Sequence, residues 1–320
     1  MTPVELHGLL ICPRCHGTLS DRDEDALFCT ACELVYPIQS GIPNMALPES
    51  EPENEAALSH KVQQIAFSGR PQDDDFETTR PSGTPALYER LLVDKFRRSV
   101  IGLEDVLPGS TTLVTCGGAG MDAHFLADAG ARVILSDISS GALLQARERA
   151  ARFGLDFGLV AADAETLPFP DASVDIVYVH DGLHHLERPA TALAEMARVA
   201  RRAVSVTEPA RSLATRLAVQ AGVALDVEEA GNPVFRLTIA DIVDELRRHG
   251  FEPVRPHRYG MFYRHRPGVA VRALSKPGLA PTAMAALTAV NRLLGRFGNK
   301  LTVQAVKPDP LASPTRRDLS

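Results

Sequence analysis

From Thr111 onward, short runs of apolar and β-branched residues alternate with segments whose apolar positions recur every three or four residues. That rhythm predicts strands feeding helices in βαβ order, and so a parallel sheet. Strands are expected at 111–116, 133–136, 157–161, 174–179 and 203–207, with helices at 121–129, 141–153, 190–199 and 239–249. The strand segments are apolar almost throughout, as strands buried on both faces require. Gly250 follows the last of these helices, where a left-handed C-cap belongs. Segments 251–254 and 301–306 suit an antiparallel pair closing the sheet, with a helix at 280–294 inserted between them. The expected fold is therefore α/β: a Rossmann-like, seven-stranded, mainly parallel sheet with helices on both faces.

Upstream the pattern changes. Residues 1–47 form a small cysteine-bearing unit, and 48–108 read as a linker and helical cap. Within the linker, 55–67 is amphipathic, with Leu58, Val62, Ile65 and Ala66 on one face, placed to cover a site in the following domain. A helix at 88–103 carries Leu91, Leu92, Phe96, Val100 and Ile101 at helical spacing. Residues 109–307 form the main domain, and 308–320 have the composition of a disordered tail.

Charge narrows the partners. A formal net charge of -6 and the lack of any Lys or Arg run longer than two disfavour a nucleic-acid binder. No apolar stretch approaches the roughly 18 residues needed to span a bilayer, so no membrane partner is expected. Glu5 stands where a signal peptide would be basic, which points to a cytoplasmic protein. A small-molecule substrate is expected, and a homo-oligomer is left open.

Cys12, Cys15, Cys29 and Cys32 form two C-x-x-C pairs separated by 13 residues. Four thiolates at this spacing are a tetrahedral ligand set for a structural Zn²⁺, with no position left for water or substrate. A redox role is disfavoured because neither pair opens a helix after a strand. The stretch from Leu9 to Asn44, LLICPRCHGTLS through FCTACELVYPIQSGIPN, resembles the Trm112-like zinc ribbon family. That resemblance implies a module that supports or shapes a methyltransferase domain.

Gly117, Gly118, Ala119 and Gly120 sit between an apolar strand and a helix, where bare backbone and a helix N-terminus let a cofactor approach. Asp137 ends the second strand 17 residues after Gly120, placed to accept hydrogen bonds from ribose hydroxyls. Asp163 ends the third strand, placed to hold an adenine amino group. The segments VILSDIS (133–139), AADAETLPFPDASVDIVYVHDGLHHL (161–186) and EMARVARRAVSVTEP (195–209) resemble class I S-adenosylmethionine-dependent methyltransferases of the small-molecule type. The resemblance implies that Gly118 and Gly120 line the methionine part of S-adenosyl-L-methionine, Asp137 binds ribose, Asp163 and Ala164 flank adenine, and His180 borders the methionine end. Cys116, Gly117, Ile138 and Glu165 complete the expected cofactor set. The chain departs from the family's D/E-x-G-x-G-x-G motif, with Val114 at the acidic position and Cys116 at the first glycine.

Asp181, His184 and His185 follow the fourth strand at the sheet edge where such folds bind ligands, and are the candidates for catalysis. An imidazole there titrates near neutrality and could take a proton from a hydroxyl or amine. Glu208, at the end of the fifth strand, reads either as another acid at this edge or as a capping carboxylate. The polar run 226–232, Phe235, and the cluster of His257, Tyr259, Met261, Phe262, Tyr263 and His265 are candidates for an acceptor wall. Two further readings stand beside a small-molecule methyltransferase. One is an RNA methyltransferase using the ribbon as its RNA contact, disfavoured by Asp21, Asp23, Glu24, Asp25 and Glu33. The other is a non-catalytic cofactor-binding scaffold, motivated by Val114.

Overall fold

The structure, a computed structural model, describes residues 3–23, 25–47, 61–62, 65–66, 68–69, 84–211, 237–261 and 268–308. The expectations for most of 55–67, for 226–232, Phe235, Phe262, Tyr263, His265 and nearly all of the tail lie outside the described residues.

A short helix α1 (Pro3–His7) leads into four antiparallel strands, β1 (Leu19–Asp23), β2 (Ala26–Cys29), β3 (Leu34–Gln39) and β4 (Ile42–Pro43), paired in sequence order. His16 and Glu33, each directly after a C-x-x-C pair, have φ of 57° and 56°. Both cysteine knuckles therefore turn the chain through the same left-handed step, uncommon for residues with a Cβ. This unit does not stand apart. Leu6, Leu10, Tyr36 and Met45 share one buried core with Val160, Ala162, Leu167 and Phe169 of the main domain. The backbone N–H of Ile11 donates to the Pro168 carbonyl at 3.0 Å and that of Met45 to the Ala161 carbonyl at 2.7 Å. Asn44 bridges Ala161 in parallel, so the exit of the ribbon prolongs the large sheet past its edge.

The main domain contains α2 (Ala86–Ser99), β5 (Thr111–Thr115), α3 (Met121–Asp128), β6 (Arg132–Asp137), α4 (Ser140–Phe153), β7 (Phe157–Ala161), β8 (Val174–His180), α5 (Pro189–Val199) and β9 (Ala200–Pro209). After them come α6 (Ile239–Arg248), β10 (Glu252–Pro253), β11 (His257–Tyr259), α7 (Val269–Leu274), α8 (Leu279–Leu294) and β12 (Lys300–Val306). The sheet runs β10-β12-β9-β8-β5-β6-β7, with β11 also paired to β12. β5 to β9 are mutually parallel, and β12 is antiparallel to β9, β10 and β11. Eight strands fill the seven expected positions, because β10 and β11 lie in succession along β12. Pro256 falls between them and has no N–H to give the ladder.

Alternate residues of each strand enter opposite cores. Val114, Leu135 and Tyr178 meet Phe96, Leu126 and Ala146 on the α2, α3 and α4 side. Leu113, Ile134 and Val177 meet Leu193, Met196 and Ile242 on the α5 and α6 side. The helices start and stop where their sequences say they should. Ser139 caps α4 by accepting from the Ala142 N–H, and Gly154 ends it in the left-handed conformation. Thr238 and Asp241 form a reciprocal capping box on α6. β5 lies between β8 and β6, the point where successive connections leave in opposite directions, and the carboxyl ends of these strands are where sheets of this topology bind ligands.

Candidate functional site

The four expected metal ligands come together, with all four Sγ atoms within 4.8 Å of one another. Tetrahedral Zn–S bonds of about 2.3 Å would need S···S separations near 3.8 Å, so the set fits zinc with a small contraction. Burial opposes ionisation of Cys12, but the Tyr36 hydroxyl at 3.1 Å and nearby backbone N–H groups outweigh it and bring its pKa down to about 7. Hydrogen bonding to Cys15, then burial, pushes Cys32 up to about 12. Cys12 thus offers a ready thiolate, and a metal ion would displace protons from Cys29 and Cys32.

At the carboxyl edge, Asp137 ends β6 with one oxygen accepting from the Gly118 N–H and the other from the Ser139 N–H, both at 2.9 Å. The strand-end carboxylate is thereby tied to the glycine bend. Burial raises its pKa, against the pull of those two N–H groups. Gly118 and Gly120 have φ of 51° and 79°, and a Cβ on Gly118 would meet nothing within 4 Å. Bare backbone therefore faces open space, the geometry a close-lying cofactor needs. Cys116 shares the left-handed conformation at φ 51° and packs so tightly on Gly182 that a Cβ there would lie 2.5 Å from its own. Burial keeps the Cys116 thiol protonated. Ala164 is buried in the core, while Ile138 is partly exposed.

Two of the expected cofactor carboxylates, Asp163 and Glu165, meet cationic side chains. Asp163 accepts from the Lys61 ammonium at 2.6 Å and from the Glu165 N–H at 2.9 Å. Lys61 comes from the linker, whose carbonyls at Ile65 and Ser68 accept from Ser139 Oγ and Gln145 Nε2. A Cβ on Gly141 would lie 2.7 Å from the Gly69 Cα, so the linker is seated on the start of α4 through a glycine-to-glycine contact. Glu165 is engaged elsewhere, with its oxygens on the Arg188 backbone N–H and guanidinium at 2.8–2.9 Å. It anchors the turn into α5.

The expected catalytic cluster divides. Glu208, fully buried, accepts from the N–H groups of Gly182, Leu183 and His184 and from His184 Nδ1 at 2.7 Å. It is a cap for the 3-10 turn Leu183–His185, and it orients His184 by one ring nitrogen. The His184 and His185 rings lie 3.9 Å apart between centroids, His184 buried and His185 partly exposed. Asp181 pairs with Lys300 and, at 3.6 Å, with Lys95; against the cost of burial these cations hold its carboxyl well below the usual range. His180 points inward. Its Nδ1 lies 3.0 Å from the Tyr178 hydroxyl and 3.3 Å from Asp122, and burial reinforced by Lys95 lowers its pKa. Asp122 stays anionic because His180 and Lys95 overcome its burial and bring its pKa to about 2.

Lys61, Lys95, Asp122, Tyr178 and Lys300 escaped the reading of the sequence. Asp122 alone had a local signal, as an acid in the first turn of the helix after the glycine bend. Val114 itself is buried among apolar side chains.

Comparisons with known proteins agree with this geometry. Residues 113–206 match the family model for methyltransferase domains, and residues 4–41 match that for Trm112p-like proteins. A demethylmenaquinone methyltransferase from Renibacterium salmoninarum is 39% identical over 105 residues, covering 33% of this chain and 43% of the relative. A ubiquinone/menaquinone biosynthesis C-methyltransferase from Stenotrophomonas maltophilia is 37% identical over 109 residues, covering 32% and 43%. The chain thus spans less than half the length of these relatives. The crystal structure of magnesium protoporphyrin IX methyltransferase from Synechocystis PCC 6803 with bound S-adenosylmethionine superimposes with a TM-score of 0.51 at 18% identity. It covers 80% of this chain and 100% of that one, a likeness of fold. The chain thus resembles Trm112p-like proteins over residues 4–41 and methyltransferase domains over residues 113–206, the two likenesses its motifs implied.

Proposed function

We propose that the protein transfers a methyl group from S-adenosylmethionine to a small organic acceptor. The observation that carries this reading is the pair of carboxylates, Asp137 and Asp163, at the tips of adjacent parallel strands beside a bare glycine bend, with Asp137 bonded to Gly118. When bound, S-adenosylmethionine supplies an electrophilic methyl group on a sulfonium. Asp137 holds the ribose hydroxyls, and Asp163 holds the adenine amino group once Lys61 has withdrawn. Asp122 is the anion that serves the cofactor's cationic end in place of the carboxylate absent at Val114. It keeps 17% of its side chain exposed, and its Oδ1 faces Tyr178 and His180. His184, held by Glu208 at Nδ1, stands at the same edge to receive a proton if the acceptor carries one. Most of the rate then comes from alignment of the acceptor with the methyl carbon.

The relatives act in quinone biosynthesis, which makes a reduced, hydroxylated aromatic ring the acceptor class to try first. The test is transfer of a labelled methyl group from S-adenosylmethionine to such acceptors by the zinc-loaded protein, with ribosomal RNA assayed in parallel. Label in an aromatic product supports the proposal. Label in RNA alone, or none in any acceptor while the cofactor binds, would overturn it.

A further inference from the structure

Between Glu252 and Asp309 the chain contains ten Lys and Arg residues and no Asp or Glu. The whole chain has 34 Lys and Arg against 40 Asp and Glu, so this stretch runs opposite to the balance elsewhere. Its helices are also unusually apolar on the outside. Val269 is 86% exposed, Leu293 77%, and Leu279, Val290, Leu294 and Phe297 between 46% and 57%. Residues 286, 290 and 293 follow steps of four and three, a stripe along α8, and exposed Phe297 ends the 3-10 turn Gly295–Phe297 that follows the helix. Exposed Arg292 and Arg296 flank the stripe, and exposed Arg272 and Lys276 lie in and just after α7.

The other face of α8 is occupied. Ala280, Met284 and Leu287 pack with Leu87 and Leu91 of α2, and Asn291 exchanges two hydrogen bonds with the Gly260 backbone at 2.6 and 3.0 Å. The helix is therefore fastened inward while its apolar stripe looks out. Phe297 stands three residues before Lys300, which pairs with Asp181 just after β8.

From the exposed apolar stripe of α7 and α8 and its flanking cations, we infer that this face seats the protein on an anionic lipid bilayer. A surface helix with an apolar face bordered by Lys and Arg lies in the headgroup plane, its side chains reaching the acyl boundary and its cations the lipid phosphates. The alternatives match half the pattern each. Nucleic acid would engage the cations and leave the apolar stripe in water. A second copy meeting the same face would set four cations against four. Among the described residues no helix is long and apolar enough to cross a membrane, so this is contact with a surface and not a span.

The test is sedimentation of the full chain with vesicles of phosphatidylcholine alone and of phosphatidylcholine containing phosphatidylglycerol. At low salt the anionic vesicles should bind at least ~100-fold more strongly, an effect that falls as salt rises. Leu293→Glu with Phe297→Glu, and separately Arg292→Glu with Arg296→Glu, should each remove most of the binding without moving the melting temperature. Failure of the wild type to bind anionic vesicles, or binding that survives both pairs of substitutions, overturns the inference. So does a dimer that dissociates with the Leu293 and Phe297 pair while no vesicle binding is seen. None of these readouts involves methyl transfer, so the inference stands apart from the proposed activity.

Discussion

Replacing Lys61 by Met removes the ammonium from Asp163 and keeps most of the aliphatic stem. The two side chains are 29% and 13% exposed, and their atoms meet at 2.6 Å. Such a partly buried, charge-assisted hydrogen bond lies between an exposed ion pair and a buried one, and about 1–2 kcal/mol is a reasonable magnitude. Any amino group that is to use Asp163 must first break that bond. Lys61→Met should therefore tighten binding of S-adenosylhomocysteine by roughly 5- to 30-fold, since each tenfold is about 1.4 kcal/mol. Calorimetric titration of the zinc-loaded protein measures this directly. A double-mutant cycle with Asp163→Asn isolates the cause: in that background Lys61→Met should change little. If Lys61→Met left affinity unchanged or weakened it, or if the gain survived in Asp163→Asn, Lys61 would not be a competitor for the adenine carboxylate.

Other consequences follow from the same contacts. Glu208→Ala strands three backbone N–H groups and His184 Nδ1 in a buried place, a loss of about 3–5 kcal/mol that denaturant unfolding would register. Met45 is fully buried between ribbon and sheet, so Met45→Ala should cost about 2–5 kcal/mol and lower the melting temperature of the catalytic domain as well. For the same reason zinc chelation should shift the main calorimetric transition, whereas an independent ribbon would leave it in place. Stability should also fall on acidification. His180 is held neutral by burial, so the unfolded chain takes up a proton near pH 6.5 that the folded chain refuses. Asp122 and Asp181 remain ionised in the fold, and stability falls further below about pH 3.8 as the unfolded carboxylates protonate first. Melting temperatures across pH would show both stages; His180→Gln should flatten the upper one and, since the imidazole helps hold Asp122 ionised, weaken the lower one as well.

The parts of the molecule that repeat locally were open to the sequence. Strands buried on both faces, helices with one apolar stripe, and strand-end acids leave short-range periodic marks, which is why β5 to β9 and Asp137 were located within a few residues. The cysteine quartet was equally plain because two knuckles of fixed spacing are themselves the ligand geometry. Side-chain pairs that close over long sequence separations left no such mark: Lys61 with Asp163, Lys300 with Asp181, and Glu208 with His184. Glu208 looked like either an acid or a cap, and only the three N–H groups converging on it decide for the cap. The union of ribbon and sheet was hidden for a different reason. It runs through backbone atoms of Ile11 and Met45, and a carbonyl or an N–H belongs to every residue alike.

A strand edge built for an adenosine beside the glycine bend should fill when the zinc-loaded protein is crystallised with S-adenosylhomocysteine. The electron density should then show ribose hydroxyls on Asp137, the adenine amino group on Asp163 with Lys61 moved aside, and the amino-acid end beside Asp122. An empty strand edge with Lys61 still on Asp163, or a nucleoside bound elsewhere, would contradict this assignment.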